Sequence, residues 1–210
     1  MNYLKANPDF LIIGGGIFGC SIAWNLSRRS SGSVLLLERR ELASATTPRA
    51  AGLIRNLNPN QGQTTLKTHT IKAIGILGEE LEESLHWHQV GGLLVAESEA
   101  NISHLEALER HASKPFGNFR WIERAEAEEM VPWLDASKAK KFALLPDDGF
   151  IDPYLFAQFY ARAAKKHGAV LKTEIEVTAL QKSGNRITGV QTSQGNISAG
   201  CVIDAAGPWA

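Results

Sequence analysis

Phe10-Leu11-Ile12-Ile13, then Gly14-Gly15-Gly16-Ile17-Phe18-Gly19, then an amphipathic stretch, then Val34-Leu35-Leu36-Leu37-Glu38 follow one another near the start of the chain. Neither apolar run alternates with polar residues, so both suit parallel strands buried on two faces. Between them Ile22, Ala23 and Leu26 stand at helical spacing, and Ser30-Ser31-Gly32-Ser33 breaks the helix. The whole is a βαβ unit with a glycine-rich turn at its first junction. Gly14 permits the sharp strand-to-helix turn, Gly16 lets the backbone approach a pyrophosphate, and Gly19 allows the helix to pack closely on the strand. Phosphates there would meet backbone N–H groups and the positive end of the helix dipole. Glu38, at the end of the second strand, stands where an acidic side chain accepts hydrogen bonds from an adenosine ribose. Its charge opposes a 2′-phosphate, which argues against NADP. A glycine turn in an ordinary α/β protein with a surface glutamate is the competing account, and the flanking strand and helix weigh against it. These residues serve NAD and FAD alike.

The chain has 210 residues, 44% of them hydrophobic, with 22 basic against 22 acidic side chains. That balance supplies no electrostatic reason to expect nucleic acid or an anionic membrane, and it points to a small ligand. The two cysteines, Cys20 in the fingerprint helix and Cys201 in a late apolar run, are expected as buried free thiols. With the polar start Asn2-Tyr3-Leu4-Lys5 directly before the first strand, no signal peptide is expected, and no run approaches a membrane span. A cytoplasmic location is the resulting expectation.

Residues 39–55 are rich in small side chains and interrupted by Pro48 and Gly52, which excludes one regular helix. Such a segment is either an ordinary loop or one that lies against a flat ligand. Leu66, Ile71, Ile74, Leu77, Leu81 and Leu85, with Glu79, Glu80, Glu82 and Glu83 on the remaining surface, predict a long amphipathic helix over residues 65–86. A short strand over 91–96, a helix over 101–111, an acidic helix over 123–129 and a strand over 141–146 make residues 85–148 an α+β insertion. Pro153 opens another helix, with Leu155, Phe156, Phe159, Tyr160 and Ala163 on its apolar face, and Gly168 stops it. From Val170 the period becomes two. Leu171, Ile175, Val177 and Leu180 read as one strand, Ile187 and Val190 as its partner, and residues 201–206 as a last strand that returns from a β-meander to the parallel sheet.

Four segments, in this order, resemble the FAD-dependent amine and amino-acid oxidoreductases related to D-amino acid oxidase, glycine oxidase, sarcosine oxidase and dimethylglycine dehydrogenase. They are residues 14–19 with Glu38, Thr46-Thr47-Pro48-Arg49-Ala50-Ala51-Gly52-Leu53, Asp148-Gly149-Phe150-Ile151-Asp152-Pro153, and Asp204-Ala205-Ala206-Gly207-Pro208-Trp209. The resemblance implies an α/β fold. A Rossmann-like FAD-binding domain with a β-meander would comprise residues 1–84 and 149–210, and an inserted, incomplete α+β substrate domain would comprise residues 85–148. It also implies FAD as cofactor, with Gly14, Gly16, Ile17, Phe18 and Gly19 around the pyrophosphate, Glu38 on the adenosine ribose and Arg39 bordering the adenine. Thr46, Thr47, Arg49, Ala50, Ala51 and Gly52 would run beside the pyrophosphate, ribityl chain and flavin ring. Val177 would touch adenine through its backbone, and Ala206 and Gly207, with Trp209 beyond them, would approach the cofactor closely. For Val177 and the Ala-Ala-Gly stretch, an ordinary buried strand is the competing account.

Arg49 stands where dimethylglycine dehydrogenase-like relatives carry a histidine linked covalently to the flavin. A guanidinium stays protonated and is a poor nucleophile, so FAD is expected to be held non-covalently. Arg55 falls where sarcosine oxidase-like relatives place an arginine near the flavin, or is simply a surface arginine after a loop. By the same resemblance, the chain is the N-terminal portion of an oxidoreductase that converts the C–N bond of an amino acid or a secondary or tertiary amine to an imine. Relatives continue past the Ala-Ala-Gly strand, and substrate-binding groups are expected mainly there. No catalytic residue is named, therefore, and a complementary C-terminal polypeptide or an oligomer is an expected partner. Three alternatives stand beside this reading: a non-catalytic fragment that needs the C-terminal half, an NAD-dependent dehydrogenase, and an alcohol-oxidising enzyme of the glycerol-3-phosphate dehydrogenase kind. No metal site is expected, because His86 and His88, two apart at a helix end, do not share a face and lack a third ligand nearby.

Overall fold

A computed structural model describes residues 7–112 and 117–210, and the polar start at residues 2–5 lies outside them. Along the chain run β1 (Phe10–Ile13), α1 (Ile17–Arg29), β2 (Val34–Leu37), β3 (Leu53–Ile54), α2 (Gln61–Leu81), β4 (Gly92–Ala96), α3 (Glu99–His111), β5 (Arg120–Ile122) and α4 (Arg124–Met130). Then come β6 (Lys141–Leu145), β7 (Gly149–Phe150), α5 (Pro153–Lys166), β8 (Val170–Lys172), β9 (Val177–Ser183), β10 (Arg186–Thr192), β11 (Gly195–Ser198) and β12 (Cys201–Asp204). Two compact units emerge. One holds the described residues up to Ala51 together with Glu79–Leu85 and Asp152–Ala210, and the other holds Gly52–Gly78 and His86–Ile151. Residues 52–78, which the sequence grouped with the cofactor-binding segments, thus pack with the inserted segment.

The first unit is built on a parallel four-stranded sheet in the order β12-β1-β2-β8. Leu11, Leu35 and Leu37 point to one face and form a buried cluster with Ile175, Val190, Ile197 and Ala199 under the antiparallel meander β11-β10-β9. Ile12 and Leu36 are equally buried, and α1 contributes Cys20, Ala23 and Trp24 to the core. Burial of successive residues in β1 and β2 is the physical reason these strands show no polar alternation. Trp24 of α1 and Tyr160 of α5 meet with ring centroids 5.4 Å apart. At the start of α5 the Asp152 side chain accepts the Leu155 N–H at 2.9 Å, and Pro153 fills the first helical position, where no amide hydrogen is needed. Gly168, at φ +90°, turns the chain after the helix.

The second unit contains the antiparallel sheet β4-β6-β5 and the short antiparallel pair β3-β7. Leu94, Ala96, Ala143 and Leu145 pack with Leu105 and Leu108 of α3, while Leu93, Val95, Phe142 and Leu144 pack with Ala127 of α4. The sheet is therefore covered on both faces.

Several expectations are corrected. The single strand read through Leu171, Ile175 and Val177 is two strands, because Glu174 at φ +60° kinks the chain out of the parallel sheet and into the meander. The helix expected over residues 65–86 begins at Gln61 and ends at Leu81, where Glu82 takes φ +57°. Leu66 and Leu155, assigned to apolar faces, are exposed. Cys20 is buried as expected, but Cys201 is exposed on β12, which pairs only with β1 among the described strands. β5 and the two-residue strands β3 and β7 carried no readable pattern.

Candidate dinucleotide site

From β1 the chain passes to β2 and β8 on one side, whereas β12 lies on the other. The order reverses between β1 and β12, and a crevice at the carboxyl ends of such strands is where α/β sheets take ligands. Gly14, at φ +103°, leaves β1 at this point, and a Cβ on it would lie 2.6 Å from the Ala205 carbonyl oxygen. A Cβ on Gly19 would lie 1.8 Å from the Gly14 carbonyl oxygen, so α1 packs against its own entry turn at a distance only glycine permits. The turn presents bare backbone to the N-terminus of α1, where the helix dipole is positive.

Glu38 reaches back to this turn. One carboxylate oxygen accepts the Gly15 N–H at 2.7 Å, and the other accepts the Arg40 N–H at 2.9 Å. Each oxygen still has a lone pair for a hydroxyl donor. Gly15, which the fingerprint left as a free position, is the residue that sequence reasoning missed. A Cβ there would meet Leu42 Cδ2 at 2.5 Å and Glu38 Cβ at 2.9 Å. Its carbonyl accepts both the Ala43 N–H and the Cys20 thiol. Burial, and secondarily the Glu38 charge, push the Cys20 thiol up to about 12, so this sulfur is neutral and inert.

The small-residue segment folds onto the same turn. A short 3-10 helix, Thr47–Arg49, sets the Thr47 hydroxyl to accept the Ile17 N–H at 3.1 Å, capping α1 from thirty residues away, and a Cβ on Gly16 would lie 3.2 Å from that oxygen. The Arg49 guanidinium donates to the Ala45 carbonyl. Thr46 precedes this turn, and Ala50 and Ala51 leave it exposed. Phe18, on the first turn of α1, is 75% exposed, so it contributes surface at the crevice and no core. Beyond β12 the Asp204 carboxylate accepts the Ala206 N–H at 3.0 Å, and Gly207 at φ +64° opens a second 3-10 turn, Gly207–Trp209. Trp209 and Arg39 meet there, the guanidinium carbon 4.6 Å from the ring centroid. Val177 opens β9 and packs against the meander core.

Gly52 belongs to the second unit, where it takes φ +72° and its carbonyl accepts the Ile151 N–H. The same unit holds Asp148, which is 5% exposed and accepts the Asn56 N–H at 2.7 Å. Arg55 Nε lies 3.8 Å from its other oxygen. Burial pushes the Asp148 carboxyl up to about 6, against the lowering effects of the Asn56 N–H, Arg55 and Lys67. The His88 ring stacks on Phe150 at 4.7 Å, which gives it a packing role. Among the described residues no group of three or more His, Cys, Asp or Glu side chains is arranged to hold a metal, and no helix is long and apolar enough to cross a membrane.

The first unit thus fits a dinucleotide: a turn whose close approaches leave no space for side chains, a helix N-terminus behind it, and a carboxylate anchored beside it. The chain is 32% identical over 210 residues to human mitochondrial dimethylglycine dehydrogenase, covering 98% of this chain and 24% of that protein. It is 31% identical over 217 residues to human mitochondrial sarcosine dehydrogenase, covering 99% of this chain and 23% of that protein. The chain spans about a quarter of the length of these curated relatives. Among solved structures it resembles L-proline dehydrogenase from P. horikoshii, with a TM-score of 0.87, 28% identity, and 98% of this chain and 54% of that one covered. Glycine oxidase from Bacillus cereus ATCC 14579 superposes with a TM-score of 0.78 at 25% identity, covering 97% of this chain and 56% of that one. Residues 9–210 match the FAD dependent oxidoreductase family DAO, and the chain belongs to that family.

Proposed function

We propose that this chain supplies the FAD-binding portion of an enzyme that oxidises the C–N bond of an amino acid or a secondary or tertiary amine. The observation that carries the reading is the bare turn at Gly14, Gly15 and Gly16, with the Glu38 carboxylate tied to its Gly15 N–H. A bound flavin supplies the acceptor for a hydride from the carbon beside an amine nitrogen, leaving an imine. The chain's own residues do the holding. The turn and the α1 N-terminus take the pyrophosphate, Glu38 takes the ribose hydroxyls, and Thr47 keeps the end of α1 in register. Arg49 cannot form a covalent flavin bond through a protonated guanidinium, which supports dissociable FAD. Purified chain incubated with FAD and passed through a desalting column is expected to retain one flavin per polypeptide and to release it into the supernatant on acid precipitation. Yellow precipitate would overturn the non-covalent reading, and retention of NAD in place of FAD would overturn the cofactor.

Glu38→Ala is expected to remove charge-assisted hydrogen bonds of about 1.5 to 3 kcal/mol and weaken FAD roughly tenfold to a hundredfold. Unchanged affinity would remove the ribose role. The amine substrate class is supported by the names of the dimethylglycine and sarcosine dehydrogenases that the chain resembles. The outer edge of β12, paired on one side only among the described strands, is the surface offered to a complementary C-terminal polypeptide or a second chain. Anaerobic mixing of flavin-loaded protein, complemented in this way, with dimethylglycine, sarcosine or proline is expected to bleach the flavin absorbance. Bleaching by glycerol 3-phosphate alone would replace amine oxidation with alcohol oxidation.

A further inference from the structure

Arg39 follows Glu38 directly, so the chain delivers its side chain to the adenosine side of a dinucleotide held by that carboxylate. Trp209 comes from the opposite side of β1, beyond β12, and reaches it through a built turn. The Asp204 carboxylate receives the Ala206 N–H, Gly207 adopts the left-handed backbone, and the Trp209 N–H closes on the Ala206 carbonyl at 3.3 Å. The result is an indole that is 54% exposed and spends one face on the Arg39 guanidinium, 4.6 Å from its centroid. An exposed, rotamer-rich arginine has no reason to hold one direction by itself. Contact with an aromatic face holds the guanidinium in one place, and guanidinium planes stack on nucleobases.

We propose that Trp209 is a positioning residue that holds the Arg39 guanidinium for the adenosine diphosphate half of the cofactor. The inference rests on the dinucleotide reading of this site. It is tested by calorimetric titration of FAD and, separately, of ADP into wild type, Trp209→Leu, Trp209→Phe, Arg39→Gln and the Trp209→Leu/Arg39→Gln pair, with thermal unfolding to confirm each fold. Trp209→Leu is expected to weaken FAD and ADP by the same factor, about two- to tenfold, and Trp209→Phe to recover part of that loss. The double variant is expected to bind no more weakly than Arg39→Gln alone, because the indole acts through the arginine. Unchanged affinities in Trp209→Leu, additive losses in the double variant, or a loss confined to FAD would each overturn the positioning role while leaving the dinucleotide reading intact. A wild-type chain that binds neither FAD nor ADP would overturn both.

Discussion

A methyl group at position 19 would lie 1.8 Å from the Gly14 carbonyl oxygen, and one at position 15 would lie 2.5 Å from Leu42 Cδ2. The two contacts differ in kind. At Gly19 the obstacle is backbone, so α1 must move away from its own turn, whereas at Gly15 the obstacles are side chains, the end of Leu42 first and Glu38 Cβ at 2.9 Å behind it. Gly19→Ala is accordingly expected to cost more stability than Gly15→Ala, at least about 1 to 3 kcal/mol for the overpacked site, with FAD binding lost alongside. Urea unfolding of the two variants measures the difference, and equal midpoints would refute this ranking.

Asp148 is a buried carboxyl of the second unit, so its charge state bears on stability. Its carboxyl lies at about 6 against an ordinary value of 3.8, chiefly because it is buried. A carboxyl raised on folding binds its proton more tightly in the native state. Its contribution to stability is therefore full below the unfolded value and is lost as pH rises through the folded one. The window runs from about pH 4 to about pH 6, and the gap corresponds to at most roughly 3 kcal/mol. Asp148→Asn keeps an acceptor for the Asn56 N–H without the ionisation, so its stability relative to wild type is expected to improve between pH 4.5 and pH 7.5. A difference independent of pH would assign the ionisation to another group. Thiol chemistry provides a third residue-scale check. Ellman's reagent at pH 8 is expected to find one reactive thiol in the native chain, the exposed Cys201, and two after denaturation, since Cys20 is buried with its thiol raised to about 12. Two native thiols would show that α1 opens.

At the scale of elements, ends matter more than middles. α5 is bounded by Asp152, Pro153 and Gly168; the proline and the glycine were legible in the sequence because a fixed φ and a left-handed exit are local, and the structure adds Asp152 as a cap three residues from its donor. Asp152→Ala is expected to destabilise the chain by about 0.5 to 2 kcal/mol, read as a lower urea midpoint, whereas Asp152→Ser should restore most of it. α1 is bounded differently. No side chain of its own caps its first turn, and the Thr47 hydroxyl does so from a separate 3-10 helix. Nothing in the spacing of residues 16 and 47 announces that contact. The same limit explains the strand read across residues 171–180. Its period of two continues through the break, and only the backbone of Glu174 at φ +60° shows where one strand leaves the sheet and another starts the meander.

Over the whole molecule, the sequence determined the βαβ unit with its glycine-rich turn and the presence, though not the bounds, of the helices and the meander, because burial on two faces, helical spacing and glycine are properties of neighbouring residues. Tertiary structure decided which distant groups meet. Glu38 bonds to Gly15 across 23 positions, Thr47 to Ile17 across 30, and Asp148 to Asn56 across 92. It also decided that residues 52–78 pack with the inserted sheet, that Cys201 lies exposed on β12, and that Trp209 covers Arg39. Hydrogen bonds and ring contacts between remote segments depend on how the sheet is ordered, and they leave no period in the chain for a sequence to display.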